Sequence, residues 1–168
     1  VTRLTNHLIG ERGFRTGMTS SDGVSIGGRA ISEGDDTGYG SCTAVLCDPT
    51  VEAAVLEVAR GGIVRNGLAY DWSDIGVITN IQEDHIGQDA IESLEDIVRI
   101  KSLVAERVCP GGTLVLNADD PMCRTLPDRV GMKKFERELV FFSTGGPNPF
   151  LHRHLSGGGS AYYVHRGW

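Results

Sequence analysis

Long hydrophobic runs are missing from this chain. No apolar stretch approaches the roughly 20 residues that a membrane-spanning helix needs, and the opening residues do not read as a signal peptide. Basic charge is sparse as well: 16 Lys and Arg stand against 22 Asp and Glu, for a net charge of −6. The basic residues form no block, which argues against a nucleic-acid or membrane partner. Cysteine is limited to Cys42, Cys47, Cys109 and Cys123, and none of these falls in C-x-x-C spacing. A zinc knuckle or disulfide framework is therefore not indicated, and reduced, partly buried thiols in a cytoplasm are expected. Repeats and low-complexity tracts are absent too, since the 23 glycines lie at turns and loops.

What remains is enough for one domain with a proper core in 168 residues. Thr2–Arg12 has Leu4 and Leu8 one turn apart and reads as a helix stopped by Gly13. Because the chain starts at Val1, apparently within that helix, a fragment of something longer is expected. Arg15–Ser20 is a strand candidate. Ser21-Asp22-Gly23 then turns into a hairpin through Val24–Ile26 and Gly27–Ile31. A polar loop, Glu33–Gly40, precedes a short helix at Ser41–Leu46. Ala53–Val58, Ile75–Ile81, Thr113–Leu116, Glu138–Phe142 and Tyr162–His165 are strand candidates. Between the second and third of these, Ser93–Val108 reads as an amphipathic helix ended by Pro110-Gly111-Gly112. Strands alternating with helices predict an α/β fold, a mostly parallel central sheet flanked by helices. In such sheets ligands bind beyond the carboxyl ends of the strands. Three apolar runs end there in polar clusters: Glu57, Asn80 to His85, and Asn117 to Asp120.

Lys101 is the residue that most needs explaining. It sits within the stripe Leu94, Ile97, Val104 and Val108, on the face expected to pack inward. An ammonium there requires a partner: a carboxylate, a phosphate, or chemical modification. Glu57 and Asp84-His85 are the groups best placed in sequence to meet it. A carboxylate at a strand end followed by Arg60-Gly61-Gly62 can hold Mg²⁺ and let a ligand approach the backbone. His85 beside Asp84 can ligate a metal or pair with phosphate. An amine near metal ions can also take up CO₂ as a carbamate, which turns a cation into a carboxylate-like ligand. Asn117 and Asp120 offer an amide and a carboxylate for a base or a ribose. Read singly, each has an ordinary structural alternative; it is their joint arrangement that suggests a metal–phosphate site.

The ordered motifs, namely Thr19–Gly23, the GDDTG loop (Gly34–Gly38), LEVARGGIVRNGL (Leu56–Leu68), TNIQEDHIG (Thr79–Gly87), IKSLVAE (Ile100–Glu106) and LNADDP (Leu116–Pro121), resemble the central domain of Mur-type ligases. The tail HRHLSGGGSAYYVHRG (His152–Gly167) extends the likeness to the cyanophycin synthetases within that group. The resemblance implies a P-loop-NTPase-like domain and an ATP-dependent amide ligase in which ATP phosphorylates a carboxylate and an amine attacks the acyl phosphate. It implies Mg²⁺ at Glu57 and His85, a catalytic Lys101 often carbamylated, and adenine at Asn117 with Asp120 beside it. Ser21, Asp36, Thr37 and Arg60 fall where substrate is contacted. The implied partners are a poly-aspartate (cyanophycin) primer, arginine, the remaining domains of a longer chain, and other copies in a homo-oligomer. No G-x-x-G-K-[ST] phosphate loop occurs in the sequence, so the cut is expected just after that strand and loop. The third domain of the family is likewise expected to lie outside these 168 residues, which alone are expected to be inactive. Two other readings stand beside this one. One is a Mur-type ligase acting on a peptidoglycan precursor or folylpolyglutamate; the other is a metal-dependent hydrolase using Glu57, His85 and a carbamylated Lys101.

Overall fold

A computed structural model describes residues 1–83, 87, 91–129, 131–132 and 136–165. They fall into two compact units, Val1–Tyr70 and Asp71–Trp168, where the sequence pattern predicts one domain. The α/β class and the mostly parallel pairing hold. The strands, however, are divided between two four-stranded sheets, one in each unit.

The first unit opens with α1 (Thr2–Glu11), which buries none of its residues; Leu4 and Leu8 are both exposed. Strands β1 (Thr16–Ser20), β2 (Gly23–Ile26) and β3 (Arg29–Glu33) form an antiparallel meander. Helix α2 (Tyr39–Cys47) then leads to β4 (Ala53–Leu56), which pairs parallel to β1 and gives the order β3-β2-β1-β4. Helix α3 (Arg60–Asn66) follows. It is not anticipated by the sequence pattern, because Gly61 and Gly62 are poor helix formers. A Cβ on Gly62 would meet the Thr37 carbonyl oxygen at 3.4 Å and the Gly38 Cα at 3.5 Å, ordinary van der Waals distances, so packing alone does not demand a glycine there.

The second unit is a parallel sheet in the order β5-β6-β7-β8, formed by Ser73–Ile78, Val108–Asn117, Glu138–Ser143 and Ser160–Tyr163. Helices α4 (Leu94–Glu106), α5 (Pro121–Thr125, continued by a 3₁₀ turn at Leu126–Asp128) and α6 (Pro149–Ser156) connect them. Consecutive strand order with right-handed crossovers puts all the helices on one face. Accordingly Ile78, Leu114, Leu116 and Phe141 are buried, while Ile75 on the opposite face of edge strand β5 is 62% exposed. The run Ile75–Ile81 is thus a half-exposed strand, not a fully buried one.

Helix α4 starts where expected, with a reciprocal capping box. Ser93 Oγ accepts from the Asp96 amide at 3.2 Å, and Asp96 accepts from the Ser93 amide at 3.0 Å. Its end differs from the expectation. Val108 begins β6, and Pro110-Gly111-Gly112 lies within that strand, where the β5 register shifts. The Arg137 guanidinium holds the junction, donating to the Glu106 carbonyl at 2.8 Å and the Val108 carbonyl at 2.7 Å. Asn148 and Pro149 start α6, with the Asn148 side chain accepting from the Leu151 amide at 2.9 Å.

Candidate active site

Each unit gathers its share of the chemically interesting residues at the carboxyl ends of its parallel strands. In the first unit, β1 and β4 run side by side with Thr19 opposite Leu56, so Ser20-Ser21 and Glu57 leave the sheet together. The Glu57 amide donates to the Thr19 carbonyl at 3.0 Å, and the Thr19 hydroxyl donates back to the Glu57 carbonyl at 3.4 Å. The backbone of Glu57 is fixed, and the residue is half-buried at the strand end. The Asp36 amide donates to the Ser20 carbonyl at 3.2 Å and the Ala59 amide to the Thr37 carbonyl at 3.5 Å. These bonds draw the GDDTG loop and the start of α3, where Arg60 stands, onto the same rim. Hydroxyls of Ser32 and Ser41 donate to Asp36 and hold its carboxyl below the usual carboxylate value. Thr37 is buried, with its hydroxyl on Asp35 at 2.7 Å, while Ser21 is exposed in the turn. Within this unit the structure brings Ser21, Asp36, Thr37, Glu57 and Arg60 together.

In the second unit three side chains grip three consecutive backbone positions after β5. Asn117 Nδ2 donates to the Thr79 carbonyl at 2.9 Å, Lys101 Nζ donates to the Asn80 carbonyl at 2.8 Å, and Asp120 Oδ2 accepts from the Ile81 amide at 2.6 Å. Lys101 is half-buried, and the partner seen for it is a main-chain carbonyl instead of one of the acids anticipated. It stands one turn from buried Ile97 and Ala105, so its stem covers apolar surface while the amine reaches the strand end. Asp120 also caps α5, accepting from the Met122 and Cys123 amides at 2.8 and 3.2 Å. His85 and Asp84 lie outside the described residues.

The LNADDP motif is therefore also a structural knot, a role that the sequence does not announce. Its middle acid, Asp119, accepts from the Ser143 hydroxyl at 2.6 Å, the Thr144 amide at 2.8 Å and the Gly145 amide at 3.3 Å, joining the ends of β6 and β7. Partial burial opposes ionisation of Asp119, but these bonds outweigh it and hold the carboxyl below its usual value. Cys42 and Cys123 are buried and unpaired. Burial pushes both thiols up, Cys123 to about 12, so neither supplies a thiolate nucleophile.

The donor set decides which metals fit. Among the described residues no three His, Cys, Asp or Glu side chains converge to hold an ion. A closed zinc-type cage is not built from them. A lone strand-end carboxylate suits Mg²⁺ that arrives on phosphate oxygens and keeps its waters. The chain does contain a His-x-His triplet, His152-Arg153-His154, the ligand pattern of many metallohydrolases. It lies on α6, where residues two apart point to different faces, and the His154 ring is instead engaged with the Ser160 carbonyl at 3.1 Å. Asn117 fits a nucleotide base. Beyond its bonds to the Thr79 carbonyl and the Asp119 amide, one amide hydrogen and one lone pair remain for an adenine edge.

The sequence matches the Mur ligase middle domain over residues 1–162. The chain belongs to the Mur ligase middle-domain family. Cyanophycin synthetase of Synechocystis sp. is 41% identical over 167 residues, which cover 99% of this chain and 19% of that protein. The cyanophycin synthetase of Crocosphaera subtropica is 42% identical over the same extents. The chain thus spans about a fifth of the length of these relatives. In fold it is similar to a UDP-N-acetylmuramoyl-L-alanyl-D-glutamate–2,6-diaminopimelate ligase, with TM-score 0.57 and 16% identity over 84% of this chain and 29% of that one.

Proposed function

We propose that this chain is the middle domain of a cytoplasmic ATP-dependent amide ligase of the cyanophycin synthetase kind. In this reading the longer enzyme joins arginine to aspartate side chains of a poly-aspartate primer through an acyl phosphate. The observation that carries the reading is the extent of the likeness: about 40% identity to cyanophycin synthetases over 99% of the chain.

Bringing a triphosphate to a carboxylate sets two anions against each other, so charge must be neutralised and the groups aligned. Mg²⁺, when bound, supplies that neutralisation and polarises the transferred phosphoryl group. Glu57 and His85 are the residues that would hold it in this reading. Asn117 orients the adenine through its remaining donor and acceptor. Asp120 already takes three backbone N–H bonds and keeps one acceptor position for a ribose hydroxyl. Lys101 holds the Asn80 carbonyl and thereby sets the segment that leads to Asp84-His85; carbamylation would exchange this cationic donor for an anion. Ser21, Asp36, Thr37 and Arg60 receive the acceptor chain, Arg60 meeting its carboxylates. No G-x-x-G-K-[ST] motif occurs in this sequence, so in this reading other parts of the longer enzyme supply the phosphate cradle, and the active enzyme is a homo-oligomer.

A chimera tests this reading. The 168 residues replace the matching stretch of the Synechocystis cyanophycin synthetase, and ATP-dependent arginine incorporation into a poly-aspartate primer is followed. Retained incorporation, lost on Glu57→Gln or Lys101→Ala in the same chimera, is the expected result. A folded chimera that hydrolyses no ATP with arginine and primer, or whose activity ignores both substitutions, sinks the proposal.

A further inference from the structure

Away from the residues assigned above, a cleft opens on the helical face of the second unit between α5 and α6. It consists of two adjoining cavities of about 510 and 220 Å³, with Arg124, Phe150 and Arg153 lining both. The Arg124 guanidinium lies over the Phe150 ring, 5.6 Å from its centroid, a stacking that fixes its plane without using its N–H donors. Neither Arg124 nor Arg153 forms a salt bridge among the described residues. Among the described residues neither acid lining these cavities is paired with them. Asp119, at the end of the larger cavity, is engaged by Ser143, Thr144 and Gly145, and Asp128 of the smaller one is exposed. The first turn of α6 also borders the larger cavity through Asn148, Pro149 and Phe150, so its backbone dipole adds positive potential there.

We propose that this cleft is an oxyanion-binding site in which Arg124 and Arg153 take a carboxylate or phosphate group of a ligand lying along Phe150. In a chain of net charge −6, Arg124 and Arg153 line the same two cavities with no carboxylate paired to either among the described residues. Planar guanidinium forks bind both oxyanions bidentately. Two cavities sharing one arginine pair suit an extended acidic peptide, with successive carboxylates on either side of the Phe150 ring. A single phosphate needs only the larger cavity. The site stands independently of the ligase reading.

The test is a titration of the chain with inorganic phosphate and, separately, with an end-blocked tetra-aspartate peptide, followed by NMR of the arginine Nε–H and backbone amide signals. Saturable shifts at Arg124, Arg153 and the amides of Phe150 and Leu151 are expected with at least one probe. Tighter binding of the peptide identifies carboxylates as the ligand, whereas saturation by phosphate alone identifies a phosphoryl group. The double variant R124Q/R153Q should weaken binding roughly tenfold, and R124K/R153K, which keeps the charge but loses the fork, should recover only part. Raising the salt concentration on the unsubstituted protein must weaken binding as well, an arm that does not depend on any variant folding. Absence of saturable shifts with both probes, or binding that ignores both salt and the R124Q/R153Q change, overturns the proposal.

Discussion

The two units use the same alternation of strands and helices but bury different things. In Asp71–Trp168 one continuous cluster runs from Ile78 through Ile97, Leu114 and Leu116 to Phe141 and Leu151, all nearly inaccessible. In Val1–Tyr70 the buried apolar set is small, Val24, Cys42, Val45 and Ile63, and it is accompanied by buried Thr16, Thr19, Ser20 and Thr37. The parallel sheet, covered on one face by three helices, makes a core from side-chain bulk. The mixed sheet, with an exposed hairpin strand at its edge, depends more on close backbone approach and on hydroxyl bonds. That contrast teaches where each unit is vulnerable: the second to cavities, the first to added volume.

The sharpest way to break the contrast is Phe141→Ala. Phe141 is 2% exposed and makes edge-to-face contacts with Phe150 and His154, both at 4.9 Å between centroids. Its truncation should cost about 3–5 kcal/mol, measured by urea unfolding, and hydrogen exchange should report the larger loss of protection in residues 73–163. Next is Asp120→Ala, which removes a helix cap and leaves the Ile81 amide without its acceptor. A loss of about 2–3 kcal/mol is expected, and equal stability of the variant would show that water replaces the carboxylate. Gly17→Ala probes the first unit. A Cβ there would stand 2.5 Å from Val45 Cγ1, so overpacking should cost about 1–3 kcal/mol. Adding Val45→Ala should relieve part of that cost in a double-mutant cycle. The smallest effect concerns pH. The Asp119 carboxyl is depressed in the folded state, so its contribution is present above the unfolded carboxylate pKa of about 3.9 and disappears as pH falls through the lower folded value. Thermal melts across that acid range should show a flatter decline for Asp119→Asn than for the unsubstituted protein.

The sequence was most legible where periodicity and capping agreed. Helix α4 begins within one residue of its expected start because Ser93 and Asp96 form a capping box ahead of a regular apolar stripe. Strands β6 and β7 follow from compact apolar runs. Helix α3 was hidden because Gly61 and Gly62, poor helix formers, stand in its first turn. The long reach of β6 through Pro110 was hidden for a similar reason: proline and glycine punctuate locally, while Arg137, nearly 30 residues away, secures the junction. In the candidate site, Glu57, Asn117 and Lys101 stand at or beside strand ends as their positions in the runs imply. That Lys101, Asn117 and Asp120 would close on three successive backbone groups was not written in any one motif, since their partners lie 21, 38 and 39 residues away.

By itself, the order of residues determined the α/β class, the parallel pairing and the family, because apolar period and motif spacing are local and additive. Tertiary structure alone decided which polar groups serve as braces, where Asp119 and Asp120 spread their oxygens, and that Arg124 and Arg153 meet across one cleft. Such choices depend on distances between segments remote in the chain, and no local pattern encodes a distance.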